Sequence, residues 1–317
     1  MSLVMAAEAV ARSTHTALTS RPTSRNVRTQ LADVNPGHRI VSRDELSSDE
    51  HLVLESVTLA PGFTLANQSV GVISATSPDV ASGTDGILAV GPKNLTRAQF
   101  LKADNRTTPT IADTAFDQGL VPQDLFGISI NLPVNEDNPG DFEAIGELHL
   151  GGVSPDLFCG DMTFIPTVPA ANAWSVGSAS LSIGGSSLST NSTILFDTGA
   201  SVIFLPNDQF EHYQNVTGGT LDEFGTLHFT LSEFVNLPPL VIDINGVSFS
   251  LPALAQAGQA SPDDFVSFVS SLGALQVNVT ETIMGIPFFL GFYMAFDNTR
   301  NEIGIAKSIN SVEGCSP

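Results

Sequence analysis

Short runs of alternating apolar and polar residues, each closed by a turn signal, restrict this chain more than any other feature. From His51 onward "HLVLESVTLA", "FTLANQSVGVIS", "DGILAVG", "LFGISINL", "IGELHLGG", "WSVGSASLSIGG", "TILFDTGASVIFL", "TLHFTL", "LVIDINGVSFSL", "FYMAFDN" and "NEIGIAKS" follow at close spacing. Successive side chains of a strand point to opposite faces, so each run offers one apolar face to a core. The pattern predicts an all-β protein. At 317 residues the chain is long enough for two lobes or one large domain. Helical patterns are few and short. They are "TIADTAFDQGLV" (110–121), ending at a glycine, and "NDQFEHYQNV" (207–216), with Asn207 as N-cap. The third is "SPDDFVSFVSSLG" (261–273), with Ser261 as cap, Pro262 at the first helical position and Gly273 as terminator.

Charge narrows the partners. The formal net charge is -21, and six of the twelve basic residues (Arg12, Arg21, Arg25, Arg28, Arg39, Arg43) lie in the first 45 positions. Residues 107–299 contain no Lys or Arg and 21 Asp or Glu. Nothing in that span can neutralise phosphates, so nucleic acid is a poor partner and none is expected. The excess carboxylate reads either as a plain acidic surface or as adaptation to acid, where protonation relieves self-repulsion. Residues 1–45, rich in Arg, Ser and Thr, read as an atypical, poorly ordered segment with at most a short helix near Ala6 to Arg12.

Two cysteines, Cys159 and Cys315, allow at most one disulfide and rule out a Cys-rich scaffold or a zinc cluster. Spacing leaves their pairing open. Six Asn-x-Ser/Thr sequons, at Asn67, Asn94, Asn105, Asn191, Asn215 and Asn278, lean towards secretion. The opening segment lacks a basic n-region and Glu8 interrupts its apolar run, unlike a secretory leader. The longest uncharged apolar stretch, "GIPFFLGFYMAF" (285–296), falls short of the roughly 20 residues of a membrane helix. No membrane partner, metal or cofactor is expected.

One tripeptide carries chemistry. "ILFDTGASVIFLP" places Asp197 directly after three apolar residues and just before a glycine. A carboxylate at the end of a buried strand is costly unless it is hydrogen-bonded or functional. Thr198 offers a hydroxyl, and Gly199 lets backbone N–H groups approach the carboxylate. A plain hairpin turn would contain the same three letters.

The flanks decide between them, for they resemble the pepsin-like aspartic proteases. The matching stretches are "ILFDTGASVIFLP", "LPPLVIDINGVSFSLP" and "IMGIPFFLGFYMAFDNTRNEIGIAKS" for a second lobe. "DEHLVLESVTLAPGFTLANQSVGV" and "TDGILAVGPKNLT" through "TPTIADTAFDQGLVPQDLFGISI" match part of a first. The likeness covers residues 46–309 and is nearest the basidiomycete polyporopepsin type. It implies a bilobal, cleft-forming β protein, a secreted or vacuolar monomer that hydrolyses peptide bonds at acid pH. In such a protein each lobe supplies one aspartate, and the two carboxylates share a proton and hold a water. Asp197 matches the second-lobe aspartate, Thr198 the residue whose hydroxyl braces the two catalytic loops, and Gly285 the glycine closing the loop around Asp197. Ala200 stands where Ser or Thr is usual. Ile283, beside Gly285, is a candidate for the substrate groove or for the core.

The other half of that site is missing from the sequence. Asp197 precedes Gly285 by 88 residues, the first-lobe counterpart of Gly285 is Gly86, and a similar spacing places the first aspartate before Met1. Asp33, Asp44 and Asp49 are not followed by Thr-Gly or Ser-Gly, and Asp113 in "ADTAFDQG" lies in a helical context. The only tyrosines are Tyr213 and Tyr293, so the flap tyrosine of the family is absent too. The expected organisation is an atypical segment at 1–45, a truncated first lobe at 46–164 and a complete second lobe at 165–317. The chain is then an incomplete endopeptidase or a catalytically dead peptide-binding pseudoenzyme. Pairing of two chains is disfavoured because the partial first lobe stands in the way.

Overall fold

The computed structural model describes residues 2–6, 50–73, 88–93, 95, 107–131, 145–169, 173–275, 280–311 and 315. They fall into two compact units, one drawn from residues 1–128, 143–153 and 297–299 and the other from 129–142, 154–296 and 300–317. Strands predominate in both. Gly86 and most of residues 1–45 lie outside the described residues.

The first unit holds β1 (Ser2–Ala6), β2 (Glu50–Ala60), β3 (Phe63–Ile73), helix α1 (Ile111–Asp117), the start of β4 (Leu125–Asn131) and β5 (Ile145–Leu150). β1 pairs antiparallel with β5. β2 and β3 form a hairpin whose turn passes through Gly62 at φ +79°, a left-handed conformation that favours glycine. Val57, Leu59, Phe63 and Leu65 are buried, and Leu59 and Leu65 are wholly sealed. Each fully buried side chain of this size contributes about 1.5–3 kcal/mol.

A bulge interrupts β3 at Ala66 and Asn67, where Glu55 faces Gln68 but Val57 faces Leu65. Gln118, just past α1, fills the gap like a strand partner. Its Nε2 donates to Ala66 O (2.6 Å), and its Oε1 accepts from Ala66 N (3.0 Å). The helix itself starts from a capping box: Thr110 Oγ1 accepts from Asp113 N, and the Asp113 carboxylate accepts from Thr110 N at 2.8 Å.

The second unit contains β6 (Phe158–Pro166), β7 (Ser175–Ile183), β8 (Ser186–Phe196), β9 (Ile203–Leu205), α2 (Asn207–Thr217), β10 (Thr220–Leu221), β11 (Leu227–Phe229), α3 (Leu231–Val235), β12 (Leu240–Ile244) and β13 (Val247–Leu251). It continues through α4 (Ala253–Gln256), β14 (Ala257–Ser261), β15 (Asp264–Ser267), β16 (Val269–Ser271), β17 (Thr282–Met284), α5 (Ile286–Gly291), β18 (Phe292–Asp297) and β19 (Glu302–Ser308). Seven strands form one sheet in the order β13-β12-β7-β8-β17-β9-β16, and four more form β10-β11-β15-β14. β19 pairs antiparallel with β6. Aromatic rings seal the interior: Phe196 packs on Phe288, Phe288 on Phe292, and Phe292 edge-on against Phe249, with centroids 4.7–5.5 Å apart. Cys159 of β6 is bridged to Cys315, 156 residues on. By the chain-entropy argument a loop of that length gives roughly 5 kcal/mol.

The structure departs from the helical patterns of the sequence twice. Residues 261–273 are not one helix but the end of β14, a turn, β15, β16 and the start of a short 3-10 turn at Leu272–Leu275. Phe265, Ser267 and Val269 are buried while Val266 and Phe268 are half-buried, a period of two that pairing with β14, β11 and β9 enforces. Helix α2 forms, but its N-cap is Pro206 and Asn207 is its first residue. Asn207 Oδ1 accepts instead from Ser271 Oγ (2.6 Å) and Gly273 N (2.9 Å). Residues 88–91, expected as strand in "DGILAVG", are irregular.

Two titratable groups tie stability to pH. Buried Asp124 is held above its ordinary pKa of 3.8, first by lost hydration and further by Asp113, with the Asn298 amide (2.8 Å) opposing. A raised carboxyl binds its proton more tightly in the folded state, so stability rises as pH falls through that pKa. His228 Nδ1 lies 2.8 Å from Asp264 Oδ1 and its Nε2 3.5 Å from Asp222 Oδ2. The Asp264 hydrogen bond raises the imidazole above 6.5, with both carboxylates adding to the shift. That contribution is complete below 6.5 and lost as pH rises through the raised value.

Three outcomes follow. Asp124→Asn stabilises the protein near neutrality and changes little below pH 3.8, read by urea unfolding at both conditions. Hydrogen exchange in β10 and β11 of the wild type quickens above pH 6.5 beyond the intrinsic rate, whereas His228→Gln shows no such step. Tyr213→Phe orphans buried Gln256 Oε1, which accepts the phenol at 3.0 Å, and lowers unfolding free energy by about 1–3 kcal/mol.

Candidate active site

Ile194 and Phe196 point from the end of β8 into the core, while Leu195 is half-buried. The chain then leaves the sheet for residues 197–202 and returns as β9. So short a link would normally join two paired strands. Here β17 lies between them, parallel to β8 (Thr282↔Ile194, Ile283↔Leu195, Met284↔Phe196) and antiparallel to β9 (Ile283↔Phe204). The loop is therefore held open across the width of a third strand.

Backbone bonds fix its shape. Asp197 N donates to Met284 O (3.1 Å), carrying the β8–β17 ladder one residue further, and Ala200 N closes a turn onto Asp197 O (3.1 Å). Ile286 N, opening α5, donates to Ala200 O at 2.9 Å. Gly285 sits against this loop so closely that a Cβ would lie 2.2 Å from Val202 O and 2.4 Å from Ala200 O. Space, not torsion, demands glycine there.

Asp197 is exposed, and its Oδ1 accepts from Gly199 N at 2.8 Å. A Cβ on Gly199 would stand 3.0 Å from that oxygen. Asp197 Oδ2 has no hydrogen-bond partner among the described residues, so one oxygen is anchored and the other faces solvent. Thr198 is half-buried, and its hydroxyl makes no hydrogen bond among the described residues. Ala200 gives its backbone N–H and C=O to the loop. Ile283 is 6% exposed at the centre of β17, the packing of a core side chain.

The structure thus brings Asp197, Thr198, Gly199, Ala200 and Gly285 together. It adds supports that spacing could not reveal: Trp174 O accepts from Phe196 N (2.9 Å), Phe268 O from Ile203 N (2.8 Å) and Gln256 O from Phe268 N (2.7 Å). These act through backbone atoms, which leave no mark on residue type. A cavity of about 480 Å³ opens beside the loop, between Ser201, Val202 and Phe204 on one side and Leu227, Val266 and Phe268 on the other. Among the described residues, no group of three or more His, Cys, Asp or Glu side chains is arranged to hold a metal. No helix among them is long and apolar enough to cross a membrane.

This architecture has relatives. The eukaryotic aspartyl protease family profile matches residues 39–308. Polyporopepsin of Irpex lacteus is 30% identical over 264 residues, spanning 80% of this chain and 75% of that protein. Pepsin A of Suncus murinus is 26% identical over 250 residues, and the chain spans only 60% of its length. The crystal structure of the aspartic proteinase from Irpex lacteus superposes with a TM-score of 0.72 at 27% identity, over 87% of this chain and 82% of that one. With its mostly β, bilobal pepsin-like fold, the chain belongs to the eukaryotic aspartyl protease family.

Proposed function

We propose that Asp197 is one of the two carboxylates of an acid endopeptidase site, acting on peptide or protein substrates. The observation that carries this is the split β8–β9 loop, which anchors one carboxylate oxygen on Gly199 N and leaves the other open to solvent. In the reaction a water lies between two carboxylates. The ionised one removes its proton as the oxygen attacks the scissile carbonyl, and the protonated one donates to the carbonyl oxygen. Asp197 can fill either role, because a dyad sharing one proton belongs to the pair. The close packing of Gly285 holds the loop, the Thr198 hydroxyl is read as its brace toward a facing catalytic loop, and the cavity beside Ser201 and Val202, largely apolar, suits an apolar substrate side chain.

Hydrolysis by this route needs a second carboxylate. The 317-residue sequence contains a single Asp-Thr-Gly and no Asp-Ser-Gly. The second reading is a peptide-binding protein without turnover. Either form is read as a monomer that is secreted, with the vacuole as the alternative compartment. The Cys159–Cys315 bridge and the sequons support an oxidising, glycosylating route.

Peptide cleavage between pH 3 and 5, roughly the range where one of two paired carboxylates is protonated, separates the readings. An endopeptidase cleaves, is blocked by a hydroxyl-bearing peptide analogue of the tetrahedral intermediate, and loses at least about a thousandfold in rate with Asp197→Asn. Binding of the analogue with no cleavage supports the binding protein. Cleavage that survives Asp197→Asn overturns the assignment of Asp197.

A further inference from the structure

The asparagines at positive φ separate two demands that a sequon confounds. Asn67, Asn191, Asn245 and Asn301 all adopt the left-handed conformation, at φ 52°, 53°, 50° and 56°. Asparagine tolerates that region better than most residues, so the backbone alone accounts for its presence at all four. Asn245 and Asn301 are followed two residues later by Val247 and Ile303, whereas Asn67 and Asn191 are followed by Ser69 and Thr193. Backbone conformation does not ask for that hydroxyl.

Three of the sequons lie on described residues, and they differ in what their hydroxyl does. In Asn215-Val216-Thr217, Thr217 is buried and its Oγ1 donates to Tyr213 O at 2.8 Å, closing the last turn of α2. The fold uses that threonine. In Asn191-Ser192-Thr193, Thr193 is half-exposed on β8 and its hydroxyl makes no hydrogen bond among the described residues. Asn191 is exposed at a bulge, where Ala179 faces Ser192 but Leu181 faces Ser189, and its side-chain amide likewise has no partner among the described residues. The unpaired residue of a bulge lies outside the ladder, so a large substituent on it costs no strand hydrogen bond. Asn67, at the equivalent bulge of β3, is exposed too, but its +2 residue is a serine and Gln68 between them is buried, bound to Pro109 O at 3.0 Å.

We propose that Asn191 is an N-glycosylation site, occupied ahead of Asn67. The proposal rests on the secretory reading given above. Its chemistry needs a polyprenol-diphosphate-linked oligosaccharide and a transferase. The side-chain amide nitrogen of Asn191 attacks C1 of the first sugar and the N–C1 bond forms. The C1–O bond to phosphate breaks, the polyprenol diphosphate leaves with the electron pair, and the amide proton passes to a base of the transferase. Thr193 supplies the hydroxyl by which the transferase recognises its acceptor. The glycan then stands on the solvent side of β8, five residues before the end of the strand that delivers Asp197.

The test is to express the full chain in yeast behind a cleavable secretion leader, so that entry to the glycosylating compartment does not depend on its own first residues. Secreted and cell-retained pools are treated with peptide N-glycosidase in heavy-oxygen water, which converts each occupied asparagine to labelled aspartate. The expected result is label at Asn191 in both pools and a smaller fraction at Asn67. Thr193→Val, which keeps a β-branched side chain on the strand, loses the Asn191 label and leaves the others unchanged. Asn191 recovered unlabelled from chain that has entered the compartment overturns the proposal, whichever other sequons are occupied. Because the leader forces entry, that outcome leaves the secretory reading standing.

Discussion

The arrangement around Asp197 depends on one insertion, that of β17 between two strands joined by six residues. A hairpin with so short a link would pair with itself and bury its loop residues in a turn. With β17 in the gap, β8 finds a parallel partner, β9 an antiparallel one, and the intervening backbone must find partners elsewhere. It finds them in Met284 O and Ile286 N, the residues flanking Gly285. The close approach works only because residue 285 lacks a Cβ, which would overlap two carbonyl oxygens of the loop. One glycine and one inserted strand together set where the carboxylate leaves the sheet.

Most strands were legible because their signal is local. Alternation in 50–60, 63–73, 175–183, 240–244 and 247–251 follows from one face being buried, and burial is what the structure shows at Leu59, Leu65, Leu181, Ile242 and Leu251. The misread helix at 261–273 has the opposite cause. Phe265, Val269 and Leu272 are spaced as on a helix and Ser-Pro precedes them, but the same letters alternate, and pairing with β14, β11 and β9 selects the strand. A short apolar run cannot choose between the periods unaided. Asn207 was misassigned for a related reason: a side chain ready to cap a helix found better donors in Ser271 and Gly273, distant in sequence.

At the site, legibility tracked side-chain chemistry. Asp197 and Thr198 stood out by their side-chain chemistry, and Gly199 and Gly285 by the lack of a Cβ that would crowd Asp197 Oδ1 and the carbonyls of Ala200 and Val202. Trp174, Met284 and Phe268 contribute carbonyl oxygens that any residue could supply, so no pattern announces them. The acidic bias was visible as a count of charges, whereas its consequence needed burial. Asp124 favours its proton because it is removed from water, and His228 because two carboxylates flank it; neither follows from composition.

The described partners of the Asp-Thr-Gly loop lie within one compact unit. β8, β9, β17, Gly285 and the aromatic cluster beneath them all belong to the second compact unit. Among the described residues, the strand pairs and backbone hydrogen bonds that shape the Asp-Thr-Gly loop come from the second unit. The loop would keep its form whether or not another carboxylate faced it, because its geometry answers to strand pairing and backbone hydrogen bonds within one unit. Catalysis answers to a different condition, two carboxylates close enough to share a proton. The strand pairing and backbone bonds that shape the Asp-Thr-Gly loop are therefore one condition, and the approach of a second carboxylate is another.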